Sequence, residues 1–321
     1  MGERADSAVP AEKAKAMATR DAYGAALVEL GKARADVVVL DADLSGSTKT
    51  AKFARAFPER FFNVGISEQD LVGTAAGLSL AGKVPFASTF AIFETGRAWE
   101  QIRQTLCYSK LNVKLVATHS GITVGEDGAS HQALMDIALM RVLPDMTVIV
   151  PADGMETEQV IHSIVDHHGP VYVRLGRAKV PAVMPGQYRF RLGRAHTFHR
   201  GRDANIIAAG IMVSPCLEAR RILESEGLDV GVINMSTIKP LDNEAVLAAA
   251  GSAGLIVTAE EHSVIGGLGS AVCELLSEQH PVKVRRVGVR DTFGRSGKPE
   301  ELLVHYGLTP ENIVKTIKTA L

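Results

Sequence analysis

Carboxylates, imidazoles and guanidinium groups gather in a few short stretches of this sequence. One is Asn63-Val64-Gly65-Ile66-Ser67-Glu68-Gln69-Asp70. Ser67 and Asp70 have the spacing of a helix-capping box, and Glu68 falls in a first helical turn, where free N–H groups favour an anion. A second stretch runs from Ala117 to Gln132 and holds His119, Glu126, Asp127 and His131 between Gly121, Gly125 and Gly128. It is too polar for a core and follows an apolar run. That places it beyond the carboxyl end of a strand, where open α/β sheets bind ligands. Imidazoles beside a carboxylate suit hydroxyl-rich substrates, which they can bind and help deprotonate. The histidines lack a compact metal-ligand spacing. His162, with Asp166, His167 and His168, reads as a solvated helix end. Gly266-Gly267-Leu268-Gly269 opens a helix after a strand but lacks the full spacing of a dinucleotide fingerprint.

The elements that must position these groups alternate. Strand-like runs at 37–40, 85–88, 113–117, 147–150 and 171–173 are separated by helical patterns at 21–33, 71–81, 95–108 and 155–166, with a short extended piece at 61–64. From 178 to 202 the rhythm breaks at Pro181, Pro185, Gly186, Gly193 and Gly201, which reads as a long linker. A second series follows, with strands at 205–208, 230–233, 255–258 and 282–287 and helices at 215–226, 243–250, 268–277 and 310–321. The expected class is α/β, with two domains that are each a mostly parallel sheet covered by helices. The expected division is a flexible tail over 1–17, a first domain over 18–180, a linker over 181–202 and a second domain over 203–321.

The 321 residues suffice for two cores. A net charge of −1 offers no general attraction for nucleic acid or an anionic membrane. Cys107, Cys216 and Cys273 are odd in number and far apart, so reduced thiols and a cytoplasmic protein are expected. No apolar run has transmembrane length.

Taken in order, Ile-Ser-Glu-Gln at 66–69, Ala-Thr-His at 117–119, Gly-Glu-Asp-Gly-x-x-His-Gln at 125–132 and Val-Pro-Ala-Asp-Gly at 150–154 resemble the pyrimidine-binding domain of the transketolase family. Ser-Thr-Ile-Lys-Pro-Leu-Asp at 236–242, and Ala-Glu-Glu-His at 259–262 with Gly-Gly-Leu-Gly at 266–269, resemble its C-terminal domain. The family's diphosphate and Mg2+ domain carries a Gly-Asp-Gly motif with a later Asn, and Gly-Asp-Gly does not occur here. The resemblance therefore implies the C-terminal subunit of a split, thiamine-diphosphate-dependent transketolase. Such an enzyme moves a two-carbon ketol unit from a ketose phosphate to an aldose phosphate. The implied partner is an N-terminal subunit that binds Mg2+ and the diphosphate, in an α2β2 assembly.

The same resemblance implies roles. Glu68 contacts N1′ of the cofactor's aminopyrimidine, whose 4′-nitrogen then takes the C2 proton. Phe90 and Phe93 embrace the pyrimidine, and Gly96 stands about where a third family aromatic would fall. Asp43 lies near the cofactor at the subunit interface. His119, Asp127 and His131 meet the donor sugar, with His119 and His131 also catalytic. Arg20, Ser47 and Arg177 bind its phosphate, with Arg174 an alternative to Arg177. Other readings stay open: a β subunit of a 2-oxo acid dehydrogenase, a fragment like deoxyxylulose-phosphate synthase, or a non-catalytic regulatory subunit of this fold.

Overall fold

Continuous apolar runs such as Val37–Asp41, Val84–Ser88 and Val171–Arg174 have no alternation because both faces are buried. The computed structural model describes residues 16–321 and places these runs in a seven-stranded sheet. Its order is Thr237–Lys239, Thr147–Ile149, Val171–Arg174, Lys114–Ala117, Val84–Ser88, Val37–Asp41 and Phe61–Asn63. All neighbours are parallel except the first pair. Thr237–Lys239 belongs to the second half of the chain, which thus closes one edge of the first half's sheet, with Val150 N–H donating to the Ser236 carbonyl at 2.7 Å.

The second sheet has five strands, in the order Lys283–Val289, Leu255–Ser263, Ala204–Ala208, Val230–Asn234 and an antiparallel His196–His199. Helix Pro310–Ala320 closes the chain over it, capped by the Thr309 hydroxyl and burying Ile313, Ile317 and Ala320. The α/β class and the two helix-covered sheets are as the sequence indicates.

Three local expectations differ. The stretch 181–202, expected as a linker, contains a strand and packed side chains: Met184, Tyr188 and Phe190 are buried, and His196–His199 is a strand. Asp153 does the packing, because its carboxylate caps helix Gly154–Ile164 and also accepts the Val183 and Met184 N–H groups. The single helix expected over 95–108 is instead Ala91–Arg97, Trp99–Gln101 and a π-helical Ile102–Cys107. Ala98 leaves helical geometry between the first two pieces, and the Trp99 indole anchors the break by donating to the Leu139 carbonyl. Ser67 occupies the N-cap of helix Glu68–Leu80 but makes no side-chain capping bond, so the capping box is absent. Of the expected tail over 1–17, residues 1–15 lie outside the described part, and Met17 pairs with Val180 in a two-stranded ribbon.

Candidate active site

The candidate residues collect at the carboxyl ends of three neighbouring strands. Val37–Asp41 delivers Asp43, Val84–Ser88 delivers Phe90, and Lys114–Ala117 delivers His119. The last two strands stay in register past their ends, through a bridge between Phe90 and Thr118 and the Ala91 N–H to Thr118 carbonyl bond of 2.8 Å. That continuation stacks the Phe90 ring on the His119 ring, with centroids 3.8 Å apart. Asp43 and His119 both have left-handed backbones, φ 64° and 57°. Such conformations cost energy in non-glycine residues and concentrate at functional sites.

His119 has a defined tautomer. Arg20 can only donate, so its Nη1–H bonds to His119 Nε2 at 3.0 Å, which leaves Nδ1–H to donate to Thr118 Oγ1 at 2.8 Å. Burial, together with the nearby Arg20 and Arg177 charges, pushes His119 down to about 3, so the ring is neutral near pH 7. His131 stands edge-on to Phe93 at 5.3 Å, its Nδ1 paired with the Ser130 hydroxyl.

The Arg20 Nη1 group also bonds the Ser47 carbonyl, whereas its Nε is buried with no partner among the described residues. An unspent guanidinium edge beside Arg177 suits an anion. Arg177 itself donates to the Val124 carbonyl and lies 3.4 Å from Asp127. The two arginines of this strand end differ in their surroundings. Arg174 is buried and spent on Asp136 at 2.7 Å and on the Ala133 and Glu261 carbonyls. With Glu261, whose carboxylate accepts the Thr123 N–H, it locks the second half of the chain under the loop that carries His119 and His131. Gly121 must be glycine here: its φ is 75°, and a Cβ would lie 2.1 Å from the Glu261 carboxyl carbon. Gln132 fastens the loop's other end by donating to the Ile122, Gly125 and Arg295 carbonyls.

Glu68 opens its helix with a side chain only 2% exposed, and Arg97 bonds it at 2.7 Å. The Arg97 guanidinium also lies over the Phe93 ring, 4.8 Å from its centroid. Behind them Glu94 is fully buried, with neither carboxyl oxygen bonded to any described group. Burial first, then the Asp41 and Glu68 charges, hold its carboxyl well above the usual range. Asp41 is satisfied by Thr48, Thr50 and the Leu44 N–H, whereas Asp43 is exposed and bonded by Asn63. Neither Glu94 nor Arg97 stood out in the sequence. Glu94 sits next to Phe93 in a helical run, where an acid ordinarily faces solvent, and only the fold turns it inward.

Glu94 gives the chain a pH-dependent weakness. The native state keeps a proton that the unfolded chain releases near its ordinary value of 4.5. Stability is therefore fully present below that pH and is lost as pH rises toward the native value. Glu94→Gln cannot ionise, so its unfolding free energy should gain on the wild type progressively as pH rises above the ordinary carboxyl value of 4.5. Denaturant titrations at several pH values measure this, and a constant difference contradicts it.

The family model described as "Transketolase, pyrimidine binding domain" matches residues 15–183, and that described as "Transketolase, C-terminal domain" matches residues 193–313. The chain belongs to the transketolase family. A "putative transketolase C-terminal section" of Methanocaldococcus jannaschii is 50% identical over 301 residues, covering 93% of this chain and 94% of that one. A "6-deoxy-6-sulfo-D-fructose transketolase subunit" of a Clostridium species is 41% identical, with 92% of each covered. A solved structure titled "split gene transketolase, inactive beta4 tetramer" superposes with a TM-score of 0.89 at 55% identity, over 95% of this chain and 98% of that one. Within this transketolase chain, the first matched domain carries the candidate site residues, and the second contributes Glu261 to the interdomain lock.

Proposed function

We propose that this chain is the C-terminal subunit of a thiamine-diphosphate-dependent transketolase that passes a two-carbon ketol unit between sugar phosphates once a partner subunit is present. The observation that carries the reading is the gathering of Glu68, Phe93, His119, His131, Arg20 and Arg177 on one wall, at the carboxyl ends of the central strands. The residues fit the cofactor: a buried carboxyl lies beside an aromatic face, and the group now spanning both is flat and donates hydrogen bonds. When bound, thiamine diphosphate would supply the nucleophilic carbon that carries the two-carbon unit. Glu68 would share a proton with the pyrimidine N1′, and Phe93 would offer its face to that ring, with Phe90 braced behind by His119. Asp43, exposed on its left-handed turn, would face the cofactor across the subunit interface. His131, its Nδ1 held by Ser130, would turn Nε2 to a sugar hydroxyl and take its proton. Neutral His119 would orient the donor together with Asp127, and Arg20, Arg177 and Ser47 would hold the phosphate.

The diphosphate and Mg2+ would be held mainly by the partner, in an α2β2 assembly in the cytoplasm. The subunit wording of the Clostridium relative supports a partner, as does the inactivity stated for the β4 tetramer. No helix among the described residues is long and apolar enough to cross a membrane.

Kinetics on matched phosphorylated and unphosphorylated donors test the assignment. Arg177→Ala should raise KM for the phosphorylated donor by roughly 10- to 150-fold, the worth of a charge-assisted hydrogen bond, and should leave the free donor nearly unaffected. Arg20→Ala should show the same phosphate-specific loss on top of a smaller loss on both donors, because it also frees His119 Nε2. His119→Ala and His131→Ala should impair both donors. Equal losses on both donors for the arginine variants would remove Arg20 and Arg177 from the phosphate site.

A further inference from the structure

The Arg97 guanidinium does two things at once: it bonds the buried Glu68 carboxylate and lies on the Phe93 ring. A flat, nitrogen-rich donor on an aromatic face, hydrogen-bonded to a carboxylate, presents the same pattern of contacts as an aminopyrimidine. We infer that Arg97 is a latch that holds the pyrimidine's place in the free chain and must swing outward before the cofactor can engage Glu68 and Phe93. The inference rests on the proposed function, since it takes these two residues as the pyrimidine's contacts.

The geometry allows such a swing. The Arg97 side chain is 51% exposed, and its guanidinium has no other hydrogen-bond partner among the described residues. Gly96, beside it, has open space where a Cβ would project and adds no side chain to that surface. The family's third aromatic would fall about at this position, and in this chain the half-exposed Arg97 follows it in sequence. Release also changes the surroundings of Glu68. Arg97 is the cation that bonds the carboxyl, and behind it stand Glu94 and Asp41, both acids. A carboxyl released from its arginine has an oxygen free to hydrogen-bond a ring nitrogen. Arg97 would thus keep the buried Glu68 charge compensated until the cofactor replaces it. Removing a bound competitor tightens the binding of whatever it competes with.

The test measures thiamine diphosphate affinity and uptake rate in the assembled two-subunit enzyme at fixed Mg2+, by isothermal titration and by the lag before full activity. Arg97→Leu should lower Kd by about 2- to 5-fold, the worth of an ion pair with one half-exposed partner, and should shorten the lag. Arg97→Lys reaches Glu68 but cannot lie flat on Phe93, so it should give a smaller decrease in Kd. Should the leucine variant fail to assemble, the lysine variant decides alone. If the wild type binds and the variants bind equally or more weakly, the latch is overturned while the functional reading stands. If the wild type does not bind thiamine diphosphate at all, both fall.

Discussion

Glu68→Gln in the assembled enzyme should lower turnover by about 10²- to 10⁴-fold, the usual worth of a proton-transferring group, while the fold survives. Glutamine keeps the length, planarity and hydrogen-bonding end of the side chain but cannot share a proton in the way a carboxyl does. Its effect on folding should be small, because the interaction lost is one pair to a half-exposed arginine, and such pairs contribute about 1 kcal/mol or less. Loss of turnover with a preserved melting temperature therefore separates a chemical role from a structural one. The direct measurement is exchange of the cofactor C2 proton in the assembled variant. Exchange at the wild-type rate would refute the role given to Glu68, whatever happened to overall turnover.

Much of this site can be read from the sequence because parallel strands bury both faces and so appear as unbroken apolar runs. The residues that follow them, Asp43, Phe90-x-x-Phe93 and His119, must then lie at the carboxyl edge. Glu68 is legible for a different reason, since its tetrapeptide forms part of an ordered set of family motifs. What the sequence hides are contacts between segments far apart in the chain. Arg174 and Arg177 are three residues apart and chemically identical, yet the first is buried against Asp136 and the second opens toward Asp127. Asp136 on a neighbouring helix and Glu261 from the other sheet, both distant in sequence, distinguish them. The strand at His196–His199 is masked by basic and glycine-rich neighbours, and it forms because Val230–Asn234 offers it an edge. The break at Ala98 is also tertiary in origin. It turns Arg97 toward Glu68, and local helix propensity carries no trace of it.

Several residues that served as family signatures prove to be structural fasteners. Asp153 ties the connecting segment to a helix start, Gln132 ties the histidine loop to the second half, and Ser236 accepts a strand-edge bond from Val150. Buried Glu156 joins them by accepting from Asn234 across the two halves. The two halves thus share one polar seam, and the site is built on the loop that this seam holds.

The central claim is that these residues make half of an active site. The chain carries Glu68, proposed to face the pyrimidine, and His119 and His131, proposed to face the sugar, but Gly-Asp-Gly, the motif of the diphosphate and Mg2+ domain, does not occur in its sequence. The most direct measurement is ketol transfer from a ketose phosphate to an aldose phosphate, with thiamine diphosphate and Mg2+ present, first by the purified chain and then after adding a subunit that carries that motif. The expected result is no transfer by the chain alone and robust transfer by the mixture. Substantial transfer by the purified chain alone would contradict the account.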